Sequence, residues 1–249
     1  MPDRERIWII GASAGIGAAL ARAWAQDARD GRVQLILSAR STGALSDLLA
    51  DLGPDHIALP CDVGDLASLH AAADQLSALG PLDRIIHLAA LYDPGKLVDQ
   101  DPEIAAQIVT VNLMGSFHVA QLAAKLLRPG GQLALCGSAA GFIGLPQGQI
   151  YSATKAGVIN LAESLRSEWA GRFDVRLISP GFVDTRLTQK NDFTMPAMIP
   201  PDRAARDIID GLNGRAFEIH FPRRFTRMLK LISALPYRLS LPMLKRLQA

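Results

Sequence analysis

The sequence predicts an α/β fold: a doubly wound parallel sheet of about seven strands with helices on both faces. Three observations carry this reading. Short apolar runs recur along the chain, the segments between them place apolar residues at helical spacing, and the first run ends on a glycine-rich turn that opens a helix. Strands buried on both faces read as near-continuous apolar runs, and strand-helix alternation puts helices on both sides of a parallel sheet.

Taken in order, RIWII (6–10), VQLILS (33–38), HIALP (56–60), RIIHLAA (84–90), QLALCGS (132–138) and VRLISP (175–180) are the candidate strands. GIGAALARAWAQ, LASLHAAADQLSAL, IAAQIVTVNLMGSFHVAQLAAKLL and SATKAGVINLAESLRSEWA have helical periodicity. No repeat, low-complexity linker or sharp change of composition interrupts this alternation. Residues 1–221 therefore read as one domain, holding any cofactor and substrate sites together, and residues 222–249 as a C-terminal extension.

With 249 residues, 49% of them apolar and 20% charged, the chain can bury a substantial core. Cys61 and Cys136 lie far apart and form no CxxC or Cys/His cluster, so neither a metal site nor a disulfide framework is indicated. The N-terminal segment has no long apolar signal region, and no run reaches the ~18 apolar residues of a membrane span. A cytoplasmic protein is expected. The net charge of +2 gives no reason to expect a nucleic-acid partner, but it is unevenly spread. Residues 221–249 hold seven Lys or Arg and no acid, whereas residues 1–220 hold 19 basic and 24 acidic groups.

In doubly wound sheets, ligands bind beyond the carboxyl ends of the strands, where strand order reverses. The glycine turn GASAGIG, Gly11 to Gly17, lies at such an end. Glycines there permit a tight turn, and the backbone of Ser13, Ala14, Gly15, Ile16 and Gly17 at a helix N-terminus suits a pyrophosphate. The spacing is GxxxGxG rather than GxGxxG, and a nucleotide is expected. The second strand ends in Ala39-Arg40, where an acid would grip the ribose hydroxyls of NAD; an arginine suits the 2′-phosphate of NADP. An exposed arginine at a strand end is the alternative. NADP(H) is expected ahead of NAD(H).

YSATK (151–155) places a tyrosine and a lysine four apart on one helical face. A phenol is a poor base near neutrality unless a cation stabilises its anion, and Lys155 is placed to do so. Alone, the pair reads first as a helix that begins with Tyr and carries a surface Lys.

Taken together, these motifs resemble the short-chain dehydrogenase/reductase family in its branch of about 250 residues, over residues 6–221. The resemblance implies a Rossmann-type fold and a carbonyl or alcohol oxidoreductase. GASAGIG is similar to the family's glycine loop, with Ile10 where a Thr commonly stands. Asp62 and Val63 resemble the acid-apolar pair that contacts adenine. Asn112, Ser138, Tyr151 and Lys155 match the catalytic positions, with Tyr151 and Lys155 also touching the cofactor. SPGFVDT, through Pro180, Gly181, Val183 and Thr185, resembles the nicotinamide loop. The resemblance also implies that Tyr151 is the general acid/base, Ser138 holds the substrate oxygen, and Asn112 binds a water that links Lys155 to solvent. Homodimers or homotetramers are implied too, through helices 101–128 and 151–170.

One stretch departs from the family pattern. His87-Leu88-Ala89-Ala90 stands where Asn-Asn-Ala-Gly is usual and is more familiar in the longer branch that modifies sugar nucleotides. Ala89 and Ala90 remain the expected cofactor contacts. His87 either replaces a lost brace or is a satisfied core histidine.

For the substrate, Leu91, Tyr92, Phe142, Ile143, Gln149, Phe182, Leu187, Phe193, Met195 and Met198 are the candidate lining residues. Their mostly apolar character suggests a small hydrophobic carbonyl or alcohol. Residues 184–200 are expected to form a lid. The tail FPRRFTRMLKLISALPYRLSLPMLKRLQA alternates cations with apolar residues, broken by Pro236 and Pro242, as short amphipathic helices at a membrane surface do. Packing of its apolar face on the enzyme body or on a partner subunit is the alternative. Two other functions stand beside the NADP(H)-dependent oxidoreductase: a non-catalytic NADP-binding sensor or scaffold, and a sugar-nucleotide epimerase or dehydratase.

Overall fold

In the computed structural model, which describes residues 4–27, 31–191 and 193–246, the chain forms a seven-stranded sheet with order β3-β2-β1-β4-β5-β6-β7. The strands are β1 Glu5–Ile10, β2 Val33–Ser38, β3 Ile57–Ala58, β4 Leu82–His87, β5 Leu127–Cys136, β6 Asp174–Pro180 and β7 Glu218–Phe221. All pairings are parallel. Strand order reverses between β1 and β4, which places a crevice beyond their carboxyl ends.

The helices are α1 Gly15–Asp27, α2 Thr42–Leu52, α3 Leu66–Leu79, α4 Pro102–Val109, α5 Gly115–Leu126, α6 Gln149–Glu168, α7 Pro201–Asn213, α8 Arg223–Ser233 and α9 Tyr237–Arg246. Alternation along β1 explains the two cores. Trp8 and Ile10 pack on one face with Leu69 of α3, Val119 of α5 and Val158 of α6. Ile7 and Ile9 pack on the other with Leu20 of α1, Leu45 of α2 and Ile208 of α7.

Burying the Trp8 indole requires a partner for its N–H. Nε1 donates to Ser38 Oγ at 2.8 Å, and that hydroxyl donates to the Leu59 carbonyl at 2.6 Å. Three neighbouring strand ends are thereby held together. At the opposite end of the sheet the Arg176 guanidinium donates to Asp174 and to the carbonyls of Ala216 and Gly214, covering the C-terminus of α7.

Several elements differ in extent from the sequence expectation. HIALP is a strand only at Ile57–Ala58: it lies at the sheet edge, and Pro60 has no N–H for the ladder. The segment 104–127 is helical but contains a π turn, Thr110–Met114, between α4 and α5. The sequence reading named neither α2, α7 nor β7. Pro242 does not break the tail but lies inside α9, where it and Arg238, whose carbonyl loses its helical partner, are both exposed residues.

Candidate active site

The turn after β1 is held by the amides of Gly11 and Ala12, which donate to the Ser38 carbonyl at 2.8 and 3.0 Å. Gly11 has φ +92°, and a Cβ there would come within 2.6 Å of the Ala89 nitrogen. A Cβ on Gly17 would stand 2.1 Å from the Gly11 carbonyl. Only glycine fits either position, and the loop presses against the end of β4 as α1 begins. The first amides of α1 have no partner within the helix and point, with its positive end, into the crevice.

That crevice is a cleft of about 270 Å³. Gly11, Ser13, Ala14, Gly15, Ile16, Gly17, Arg40, Asp62, Val63, Ala89, Ala90 and Thr185 of the expected cofactor set all line it. Leu187, expected on the substrate side, lines it as well, together with Arg186 and Val111, which the sequence reading did not select. Pro180, Gly181 and Val183 do not. Gly181 faces a second cavity, Val183 is buried and bridges to Ile199, and the Pro180 carbonyl accepts from Ser138 Oγ at 3.5 Å. The Asp62 carboxylate accepts from the Gly64 amide at 2.9 Å, fixing the turn beside the cleft. A glycine cradle at a helix N-terminus, with an exposed arginine at the rim and no carboxylate at Ala39, fits a dinucleotide.

The departure at β4 is braced in two ways. Leu88 N donates to the Ile10 carbonyl at 2.8 Å. The buried Asn112 carboxamide takes both sides of Leu91: its Oδ1 accepts from Leu91 N at 2.7 Å and its Nδ2 donates to Leu91 O at 2.9 Å. Nδ2 also reaches Thr154 Oγ1 at 3.2 Å. Asn112 thus positions the cleft wall from within the π turn.

His87 does neither job expected of it. It is buried, and neither ring nitrogen has a hydrogen-bond partner among the described residues. Burial, aided by the Lys155 charge, lowers its pKa to about 3.

A second cavity of about 110 Å³ adjoins, lined by Ser138, Tyr151 and mostly apolar side chains. Of the expected substrate residues, Tyr92, Phe182, Leu187 and Phe193 line it. Phe142 instead packs behind it with Ala139, Phe225 and Leu229, and Leu91 lines the cofactor cleft. Gln149, Ile143, Met195 and Met198 lie outside its wall, Met198 exposed. Phe225 and Leu229 of α8 and Leu244 of α9 complete the wall. Those three were legible only as the apolar face of the tail, whose sequence does not say what it covers. Lys230 of α8 pairs with Glu218 and lies 4.9 Å from the Phe142 ring centroid, tying the tail helix to the body.

Two residues of the segment expected to form a lid, Lys190 and Asn191, are tied to Tyr92. Tyr92 OH donates to Asn191 Oδ1 at 2.7 Å, and Lys190 Nζ donates to the Tyr92 carbonyl at 2.8 Å. The Tyr92 ring stands edge-on to Tyr151 with centroids 4.7 Å apart.

Ser138 and Tyr151 come together as expected, both on the wall of this cavity, with the serine hydroxyl close enough to favour the phenolate. The Lys155 ammonium, 2% exposed, donates to the Cys136 carbonyl at 2.8 Å and lies 5.7 Å from the Tyr151 ring centroid. The expected lowering of the phenol is not what the geometry gives. Burial, then proximity to Cys136, raises the Tyr151 pKa, and only the Ser138 hydroxyl works against them. Burial also lowers the Lys155 pKa. The correction has a simple cause: desolvating a phenolate costs more than a lysine bonded to a carbonyl at this distance returns.

The profile of the short chain dehydrogenase family matches residues 5–195. An uncharacterised oxidoreductase of Mycobacterium tuberculosis is 32% identical over 250 residues, covering 95% of this chain and 96% of that protein. A short-chain dehydrogenase from Sphingobium yanoikuyae, solved in complex with NADPH, superposes with a TM-score of 0.79 at 25% identity, covering 93% of this chain and 96% of that one. A short-chain dehydrogenase/reductase from Burkholderia phymatum, solved in complex with NAD, shares the fold with a TM-score of 0.80 at 22% identity over 92% of each chain. The chain belongs to the short-chain dehydrogenase/reductase family, and it is an oxidoreductase with a nucleotide-binding Rossmann fold.

Proposed function

We propose that this protein is an NADP(H)-dependent reductase of small hydrophobic ketones or aldehydes, with Tyr151 as the general acid. The observation that carries the reading is the position of Ser138 and Tyr151 on the wall of an apolar cavity that shares Leu187 with the dinucleotide cleft. A carbonyl compound in that cavity meets a hydroxyl pair on one side and the cleft on the other.

The glycine loop, Asp62, Val63, Ala89, Ala90 and Thr185 would hold the dinucleotide, and Arg40 would meet the 2′-phosphate. When bound, it supplies the hydride. Ser138 Oγ fixes the substrate oxygen beside the phenol, and Tyr151 gives its proton to that oxygen as the alkoxide forms. A buried phenol with a raised pKa keeps its proton through neutral pH, which favours the acid role over the base role and hence reduction over oxidation. Lys155 supplies positive charge beneath the site, and Asn112 holds the Leu91 backbone that walls the cleft.

The cofactor assignment is tested by titrating the protein with NADPH and NADH, following nicotinamide fluorescence, for wild type and Arg40→Ala. Tighter binding of NADPH that weakens selectively in the variant supports NADP(H). Equal affinities, unchanged by the substitution, would remove that preference.

A further inference from the structure

The tail helices have two faces, and the sites described above use only one. On α8, Phe225, Leu229 and Ile232 are buried against the body at helical spacing. The opposite face runs Arg224, Arg227, Met228 and Leu231, with exposed Leu235 in the turn that follows, so cations at its N-terminal end give way to apolar side chains at its C-terminal end. The apolar surface continues onto α9. Leu231 is 71% exposed, Tyr237 77% and Leu241 55%, and Tyr237 and Leu241 lie one turn apart on the same side of α9. Among the described residues Arg224, Arg227 and Arg238 enter no ion pair. Contiguous exposed apolar surface rimmed by charge marks a docking face.

We propose that the outer face of α8 and α9 docks on the surface of an anionic phospholipid bilayer, with the corner between the two helices entering the headgroup region. Charge decides the occupant. Residues 221–249 carry seven cations and no acid, so a second copy seated on this face would set one cationic tail against another. An anionic bilayer accepts both features: arginines meet phosphates while Leu and Tyr enter the interface. No helix of the described residues is long and apolar enough to cross a membrane, which agrees with a surface-lying pair. The inner faces of the same helices wall the apolar cavity, so one layer of helix separates that cavity from the docked surface. The proposal does not depend on the reaction catalysed.

Flotation of the full chain with vesicles tests it. One set is phosphatidylcholine alone and the other is equal parts phosphatidylcholine and phosphatidylglycerol. Wild type is expected on the anionic vesicles only, with binding that falls as salt is raised. Each cation near the surface contributes about fivefold to partitioning, so Arg224→Glu combined with Arg227→Glu weakens binding by more than tenfold. Leu231→Asp with Leu241→Asp weakens it comparably. All four side chains are exposed, and an unchanged thermal midpoint shows that each variant is folded. Equal vesicle binding by wild type and variants overturns the proposal. So does a wild type that ignores anionic vesicles, and light scattering that shows the same substitutions splitting an oligomer would then identify a second copy as the occupant.

Discussion

The Lys155 ammonium is buried 2.8 Å from the carbonyl oxygen of Cys136, at the last residue of β5. This bond satisfies one of three donors on a charge held out of water, and it fixes the lysine below Tyr151 rather than against the phenol oxygen. Burial makes the Tyr151 proton harder to lose and the Lys155 proton easier to lose, and the pH behaviour of the phenol follows from the first of these.

Ketone reduction is expected to stay level through neutral pH. Burial raises the Tyr151 pKa, so the acid form needed for reduction persists and is lost only far into the alkaline range, while alcohol oxidation climbs with pH. Rates measured in both directions across pH check this. A reduction rate that falls near neutrality would place the working pKa elsewhere.

His87 makes the fold sensitive to mild acid. Its folded pKa of about 3 lies below the unfolded value of 6.5, so the unfolded chain takes up a proton that the folded chain refuses between those values. Its penalty grows by about 1.4 kcal/mol per pH unit as pH falls through that window. His87→Leu is expected to lose this component and to gain stability on wild type from pH 6.5 downward. Urea unfolding at a series of pH values is the readout, and parallel pH profiles for the two proteins would contradict it.

Asp174 acts at lower pH and with the opposite charge. Burial disfavours its carboxylate, but donors from Arg176, Gln132 and Arg166 outweigh burial and hold its pKa below the usual range. Its stabilisation is present above the unfolded carboxyl pKa and lost as pH falls through the depressed folded value. Asp174→Asn should therefore be less stable than wild type at neutral pH, with the gap closing in acid. Thermal midpoints across pH measure it.

Leu229→Ala tests whether the tail belongs to the cavity. Leu229 is buried in α8 and lines the apolar wall, so its truncation should cost about 2–5 kcal/mol of stability. It should also raise KM for a hydrophobic ketone while leaving NADPH affinity unchanged. An unaltered KM would detach α8 from substrate binding.

Much of this was legible from residue patterns. VQLILS became β2 with the expected bounds, because an apolar run between turn signals has few other uses in an alternating chain. The glycine loop was legible because only glycine tolerates the approach of Ala89 to Gly11. Helix α7 was legible and was passed over: Ala204, Ala205, Ile208, Ile209 and Leu212 recur at helical spacing after Pro201, a residue suited to a first helical turn. The π turn at Asn112 was not anticipated: residues 104–127 read as one helix, and nothing in their composition marks where the i→i+5 bonds enter. The cavity wall supplied by Phe225, Leu229 and Leu244 depends on where the tail folds back, which local periodicity does not encode.

The central claim is that Tyr151 delivers the proton during carbonyl reduction. Turnover of a hydrophobic ketone with NADPH should be measured for wild type and Tyr151→Phe, alongside NADPH affinity. Removing the hydroxyl is expected to lower kcat by about 10²–10⁴-fold, with NADPH binding retained. A phenylalanine variant that reduces the ketone at the wild-type rate would contradict it.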